Sequence, residues 1–465
     1  MKSTSIKPNR SQLPKFGLAA LKFSFVCLAS ALPMAGVAWG EDLYVDAAAP
    51  PNGDGSPTNP YWRITDAVDR TRDDRQNAVI PASETIVIHV APGTYLGSYS
   101  PPGSATQMEL LPIVLNMPNV VLSGATVLAV DGRGLPTGIV PGTPETILTS
   151  VEPLGAPIQM LVAIITTTDG EAGNNVTVTG FSFDQPFSVH YGTAVFADHV
   201  SGFAIRGNWM RNAGKQINSR FASGIIEGNF VTDSPNGAGI YLATGSASYP
   251  AQVTVRTNRS VHNGEHGMQA IASVQHKDPD LGRTGFTALS QSLTKAEAHS
   301  LDVEITGNDF SQNGNLGLRL MIISPSYFFS PGDDAFPPTL TATVVGNTMN
   351  DNGNYGLDVE GGDTKNAGSK TFSGAIIGTF SGNQMLGNGR NGAIFTFTFG
   401  NIPPSDSSIY LQNSVFQALD LDGELAGFDY ANPLNSPIDG TPLNNSLIVN
   451  GTLMPSGIKI SPHGP

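Results

Sequence analysis

Val303-Glu304-Ile305-Thr306-Gly307-Asn308-Asp309-Phe310-Ser311-Gln312-Asn313-Gly314-Asn315-Leu316-Gly317-Leu318-Arg319-Leu320 is answered by Thr343-Val344-Val345-Gly346-Asn347-Thr348-Met349-Asn350-Asp351-Asn352-Gly353-Asn354-Tyr355-Gly356-Leu357-Asp358-Val359-Glu360. Each copy is a short alternating apolar strand, a Gly-Asn, an Asn-Gly five residues after the first Asn, and a second alternating strand. An internal repeat of this kind decides the architecture before any local propensity does.

The phrase recurs at Val253–Ile271 with Asn258 and Asn263-Gly264, and at Ile225–Leu242 with Asn229 and Asn236-Gly237. Looser copies carry Asn208 and Asn212, Asn383 and Asn388, and Asn413. The first Asn therefore falls at 208, 229, 258, 308, 347, 383 and 413, with gaps of 21, 29, 50, 39, 36 and 30 residues. A bare coil of 21 residues with insertions at one corner accounts for the series. Asn tolerates left-handed backbone angles and bonds its own main chain. Stacked in successive coils, such residues can also form a ladder. Strand, corner and strand, stacked many times, make a parallel β-helix whose coils bury a continuous core only together.

The strand after the second Asn locates the outward face. Aligned on Gly239, Gly267, Gly317, Gly356 and Gly392, the first and third following positions are apolar: Ile240/Leu242, Met268/Ala270, Leu318/Leu320, Leu357/Val359 and Ala393/Phe395. Side chains alternate with a period of two, so these point inward and the second and fourth positions point out. With the residue before each glycine, the outward set includes His266, Gln269, Arg319, Tyr355, Asp358 and Glu360. Neighbouring coils lie roughly 4.8 Å apart, so Arg319 is expected to touch Asp358. The three longest insertions, Ser273–Ser300, Ser324–Pro338 and Gly361–Ser373, all leave just after this strand. Side by side they would wall a groove, where function usually sits.

Residues 1–40 read as a secretory signal peptide, with basic Lys2, Lys7, Arg10, Lys15 and Lys22, the short apolar run Phe23–Ala38, and small residues before Glu41. The single cysteine, Cys27, lies in that segment, so the expected mature chain uses no thiol chemistry. Removing its five basic residues from 24 leaves 19 against 38 acids, a net charge of −19. Such acidity disfavours nucleic acid and anionic membranes as partners. The expected organisation is a cap and first coil over 41–99, a β-helix over 100–416, and a C-terminal cap and tail over 417–465. The expected protein is monomeric and secreted, whether extracellular, on the cell surface or in the periplasm, with no membrane insertion once the signal is removed.

Leu43-Tyr44-Val45-Asp46, Gly53-Asp54-Gly55-Ser56, Asn59-Pro60-Tyr61, Ile64–Val68 and Glu84-Thr85-Ile86-Val87-Ile88-His89-Val90-Ala91-Pro92-Gly93-Thr94-Tyr95 together resemble the N-terminal opening of the pectin-lyase-like right-handed β-helix proteins of bacterial surfaces and secretions. The resemblance implies an all-β, right-handed parallel β-helix with a short N-terminal capping helix. Ile64, Ala67 and Val68 share a helical face, as a cap requires. An open solenoid end would otherwise expose core and strand edges. The scaffold hosts many functions, so activity has to be read from a site.

Uronate chemistry by β-elimination or C5 epimerisation needs a base for the proton α to a carboxylate, a cation or protonated acid to neutralise that carboxylate, and a second proton-transfer group. Arg319 could neutralise; His266 or Tyr355 could move protons; Asp358 and Glu360 supply carboxyl groups. Tyr355-Gly356-Leu357-Asp358 is similar to the Tyr-Gly-x-Asp opening of the alginate C5-epimerase motif, but Val359-Glu360 stands where that family continues with Pro-His and an acid. A hydrolase would instead use paired carboxylates, Asp358 with Glu360 or Asp333 with Asp334. The plain structural alternative is a solvated sheet face with an Arg–Asp pair between coils. The acids Asp358, Glu360 and Asp363 could hold Ca²⁺, or stand as unliganded surface acids; no other cofactor is implied. Two functions follow: a protein that binds or acts on polysaccharide in lyase or epimerase style, or a non-catalytic surface or matrix protein. Gly387-Asn388-Gly389-Arg390-Asn391-Gly392 fits a dinucleotide fingerprint but lacks the following helix.

Overall fold

The computed structural model describes residues 42–396, apart from 100–107, 152–159, 168–171, 186–191, 247–248, 274–298, 324–337, 362–374 and 391, and beyond 396 the backbone of strands only. The expected signal segment and the bodies of the three long insertions therefore lie outside the described residues.

The chain winds as a right-handed parallel β-helix with three faces. The first sheet stacks strands such as Ser223–Glu227, Ala251–Arg256, His299–Thr306 and Thr339–Val345 in register. The second stacks Lys215–Arg220, Ile240–Ala243, His266–Ser273, Leu316–Ile323 and Tyr355–Gly361. The third is narrower, with strands such as Trp209–Arg211, Phe230–Thr232 and Arg259–Val261, and continues as single bridges through Asp309, Thr348 and Gln384. Backbone pairing carries the winding past 417, since Phe428–Ala431 pairs in parallel with Ala393–Thr396 and Ser446–Val449 with Ser408–Gln412.

Inward positions are filled as the alternation requires: Ile240, Leu242, Met268, Ala270, Leu318, Leu320, Leu357, Val359 and Ala393 are all fully buried. The N-terminal helix α1, Ile64–Gln76, buries Ile64, Ala67 and Val68. Glu109 caps it, accepting hydrogen bonds from the backbone N–H groups of Ile64 at 2.7 Å and Thr65 at 2.9 Å.

The asparagine repeat becomes a continuous hydrogen-bonded column. Asn208 donates to Asn229 Oδ1 at 3.1 Å, Asn229 to Asn258 at 2.9 Å, Asn258 to Asn308 at 3.0 Å, Asn308 to Asn347 at 2.9 Å, and Asn347 to Asn383 at 3.0 Å. A second column joins Asn263, Asn313, Asn352 and Asn388. Two details differ from expectation. The left-handed angle belongs to the residue before each ladder Asn, Gly307 and Gly346 at the first corner and Gln312 and Asp351 at the second. Ladder Asn is therefore required for its amide, not its backbone freedom. And Asn236 is exposed, while Ser234 takes its place, its N–H bonding Asn263 Oδ1 at 3.2 Å. A corner at Gly180 separates the strands Thr177–Thr179 and Ser182–Asp184.

Candidate active site

Gln269, Arg319, Asp358 and Ile394 occupy one rung position across four successive coils. Residues 269, 319 and 358 are dozens of positions apart in sequence, and only the coil spacing brings them together. Arg319 touches two carboxylates of the next coil. Its Nη2 lies 2.5 Å from Glu360 Oε2, and its Nε lies 3.3 Å from Asp358 Oδ2. The Nε contact has ion-pair distance without hydrogen-bond alignment, so this buried N–H has no hydrogen-bond partner among the described residues. A guanidinium carries five N–H donors in a fixed fork, and among the described residues Arg319's one hydrogen bond runs from Nη2 to Glu360.

Asp358 is 5% exposed although its register puts it on the outward rung. Burial, then the neighbouring Glu360 charge, pushes its carboxyl up to about 7, against the pull of Arg319. Asp358 and Glu360 stand two residues apart on one strand and share the Arg319 guanidinium. A proton shared between two adjacent acids is the expected result. Asp333 and Asp334, the other carboxylate pair named for a hydrolase, lie outside the described residues.

His266 departs from the solvent-facing position expected of it. It sits opposite Leu316, which in turn sits opposite Tyr355, but is only 3% exposed. Burial and then the Arg319 charge push its imidazole down to about 3. Its Nδ1 is buried without a partner among the described residues. An imidazole this hard to protonate is a poor general base near neutrality. The fourth strand position is likewise covered at Ala243, Ile271 and Met321, which are buried, while Glu360 remains partly open.

Tyr355 is partly exposed, and Arg390 of the next coil reaches toward it, with Nη1 3.5 Å from the phenol oxygen. Sequence reading named Arg390 only within a discarded glycine motif. Its alignment two residues before Gly392 was the available signal. Among the described residues no three His, Cys, Asp or Glu side chains converge as metal ligands; Asp363, the third acid of the suggested Ca²⁺ cluster, lies outside them.

Coil and surface together define a protein of the pectin-lyase-like right-handed β-helix class. Residues 50–315, more than half of the chain, match the family described as "Protein of unknown function (DUF1565)", and the chain belongs to that family. Comparison with curated proteins finds no match. Among solved structures, the A-module of the Azotobacter vinelandii mannuronan C-5 epimerase AlgE4 is 13% identical over 80% of this chain and 95% of that one, with a TM-score of 0.40. A rhamnogalacturonan lyase is 11% identical over 79% and 86%, with a TM-score of 0.38. A glycoside hydrolase is 10% identical over 83% and 97%, with a TM-score of 0.40. Likeness at this level assigns no activity to the present chain. Among the described residues no helix is long and apolar enough to cross a membrane.

Proposed function

We propose that the chain is a secreted protein that binds or acts on acidic polysaccharide, with uronate lyase or C5-epimerase chemistry at Arg319, Asp358 and Glu360. One observation carries the reading: a guanidinium with unspent donors stands against a carboxyl pair that holds a proton near pH 7. A uronate carboxylate entering there meets both a cation and a protonated acid, the neutralising groups that make its α-proton removable. Tyr355, beside the Arg390 charge, is the proton-transfer group; His266, two coils away across Leu316 and hard to protonate, is not. In elimination, the base takes the C5 proton, the C4–O bond breaks, its oxygen leaves with a proton, and a C4=C5 double bond forms. In epimerisation, C5 is reprotonated from the opposite face instead.

The test is a panel of pectate, alginate and glycosaminoglycans incubated in heavy water, with and without Ca²⁺. Unsaturated uronate marks a lyase and deuterium at C5 marks an epimerase; neither product from any polymer would overturn the catalytic reading. A non-catalytic surface or matrix role is favoured by a different observation, that Arg319 is already matched by two carboxylates. Glycan-array binding unaffected by Arg319→Ala and Tyr355→Ala would select it.

A further inference from the structure

Two corners between the second and first sheets are minimal. The chain passes from Asp198 to Ser201 and from Arg220 to Ser223 with only two residues between, and His199 and Phe221 take left-handed angles of 55° and 46° to do so. The corners on either side are longer, running from Ile165 to Thr177 and from Ala243 to Ala251. A notch two coils wide, roughly 10 Å at strand spacing, results. It holds a cavity of about 350 Å³ lined by Asn174, His199, Ser201, Phe221, Ser223 and Tyr249, among others.

His199 is the chemical centre of this notch. It is 1% exposed, stacked on Phe221 at 4.6 Å and met edge-on by Tyr249 at 4.8 Å. Its Nδ1 lies 2.8 Å from Asp198 Oδ1, and Arg220 Nε lies 3.3 Å from the same oxygen. Asp198 is fully buried, and its charge is matched by Arg220. With Nδ1 turned to Asp198, the opposite ring nitrogen, Nε2, is buried with no hydrogen-bond partner among the described residues. An orphaned buried acceptor of this kind is costly, and a ligand hydroxyl reaching it would satisfy it.

We propose that this notch is a binding subsite for a single neutral sugar ring, separate from the Arg319 surface, with a ring hydroxyl donating to His199 Nε2 and the ring face lying on Tyr249. Neutrality follows from the lining, which among the described residues offers amide, hydroxyl and aromatic groups and no unmatched charge. One ring follows from the volume, which is at the small end of ligand pockets.

The experiment titrates the full chain with methyl α-glycosides of glucose, galactose, mannose and galacturonic acid while following the His199 imidazole by NMR. At least one neutral glycoside is expected to shift the His199 resonances, with affinity falling about tenfold or more in His199→Asn, which keeps a residue tolerant of left-handed angles, and in Tyr249→Ala. Because the imidazole is read in the unaltered protein, misfolding of a variant does not decide the result. No glycoside perturbing His199, binding undiminished in folded His199→Asn, or the galacturonide binding as well as the neutral sugars would each overturn the proposal. None of these outcomes depends on whether polyuronates are processed at Arg319.

Discussion

Arg319 Nη2 and Glu360 Oε2 stand 2.5 Å apart although 41 residues separate them in sequence. The contact joins neighbouring coils, and Asp358 shares the same guanidinium. Arg319 is one-quarter exposed while the Asp358 side chain is 8% exposed, so losing the cation strands a buried acid. Arg319→Ala is expected to destabilise the folded chain by about 2–3 kcal/mol at pH 8, less than for a fully buried pair. The loss shrinks at pH 5, where the Asp358 carboxyl is protonated. Denaturant melts at the two pH values check it.

Asp358 gives a pH signature of the opposite kind to an ordinary ion-paired acid. Its folded-state carboxyl is raised to about 7, above the usual value. The folded state therefore binds the proton more tightly, and stability contributed below the unfolded value is lost as pH rises through 7. Asp358→Asn, which stays neutral, is expected to flatten that decline, so its stability relative to the natural chain improves from pH 5 to pH 8. A parallel pair of pH–stability curves would contradict this.

His266 predicts an acid limb. Its imidazole is held down to about 3 by burial and by Arg319. The unfolded chain takes up this proton near pH 6.5 and the folded chain does not, so stability falls as pH drops from about 6.5 toward 3. His266→Gln should abolish that part of the slope. Thermal melts between pH 7 and pH 4 provide the measurement.

The asparagine column predicts a cost with no counterpart at the surface. Asn308 donates to Asn347 Oδ1 and Val255 O, both at 2.9 Å, and accepts from the Asn258 N–H at 2.9 Å. Asn308→Ala leaves several buried polar groups unpaired, at about 3 kcal/mol or more. Asn236→Ala, on an exposed residue outside the column, is expected to change stability by about 0.5 kcal/mol or less. Equal effects at the two positions would remove the column's special status.

Periodic features were the ones legible in the sequence. Asn208 to Asn383 marks every rung of the column, and the apolar alternation at Leu318/Leu320 and Leu357/Val359 fixed the register that puts Arg319 beside Asp358. Burial of the outward rungs was not legible. Alternation says which way His266 and Met321 point but not what later covers them, and both are buried. Ser234 was missed because a hydroxyl can stand in for an amide at one rung while the flanking Asn-Gly pattern persists. The Asp198–His199–Arg220 cluster was missed because tight corners at 199 and 221 fall outside the asparagine phrase altogether.

The central claim is that Arg319 and a proton-holding Asp358–Glu360 pair receive a uronate carboxylate. Calorimetric binding of oligogalacturonate and oligomannuronate at pH 6 and pH 8 tests it most directly. The account predicts that one of them binds roughly tenfold tighter at pH 6, in step with one proton taken up, that Asp358→Asn removes the pH dependence, and that Arg319→Ala abolishes binding. Failure of both oligomers to bind, or affinity that is unchanged by pH and survives Arg319→Ala, would contradict it.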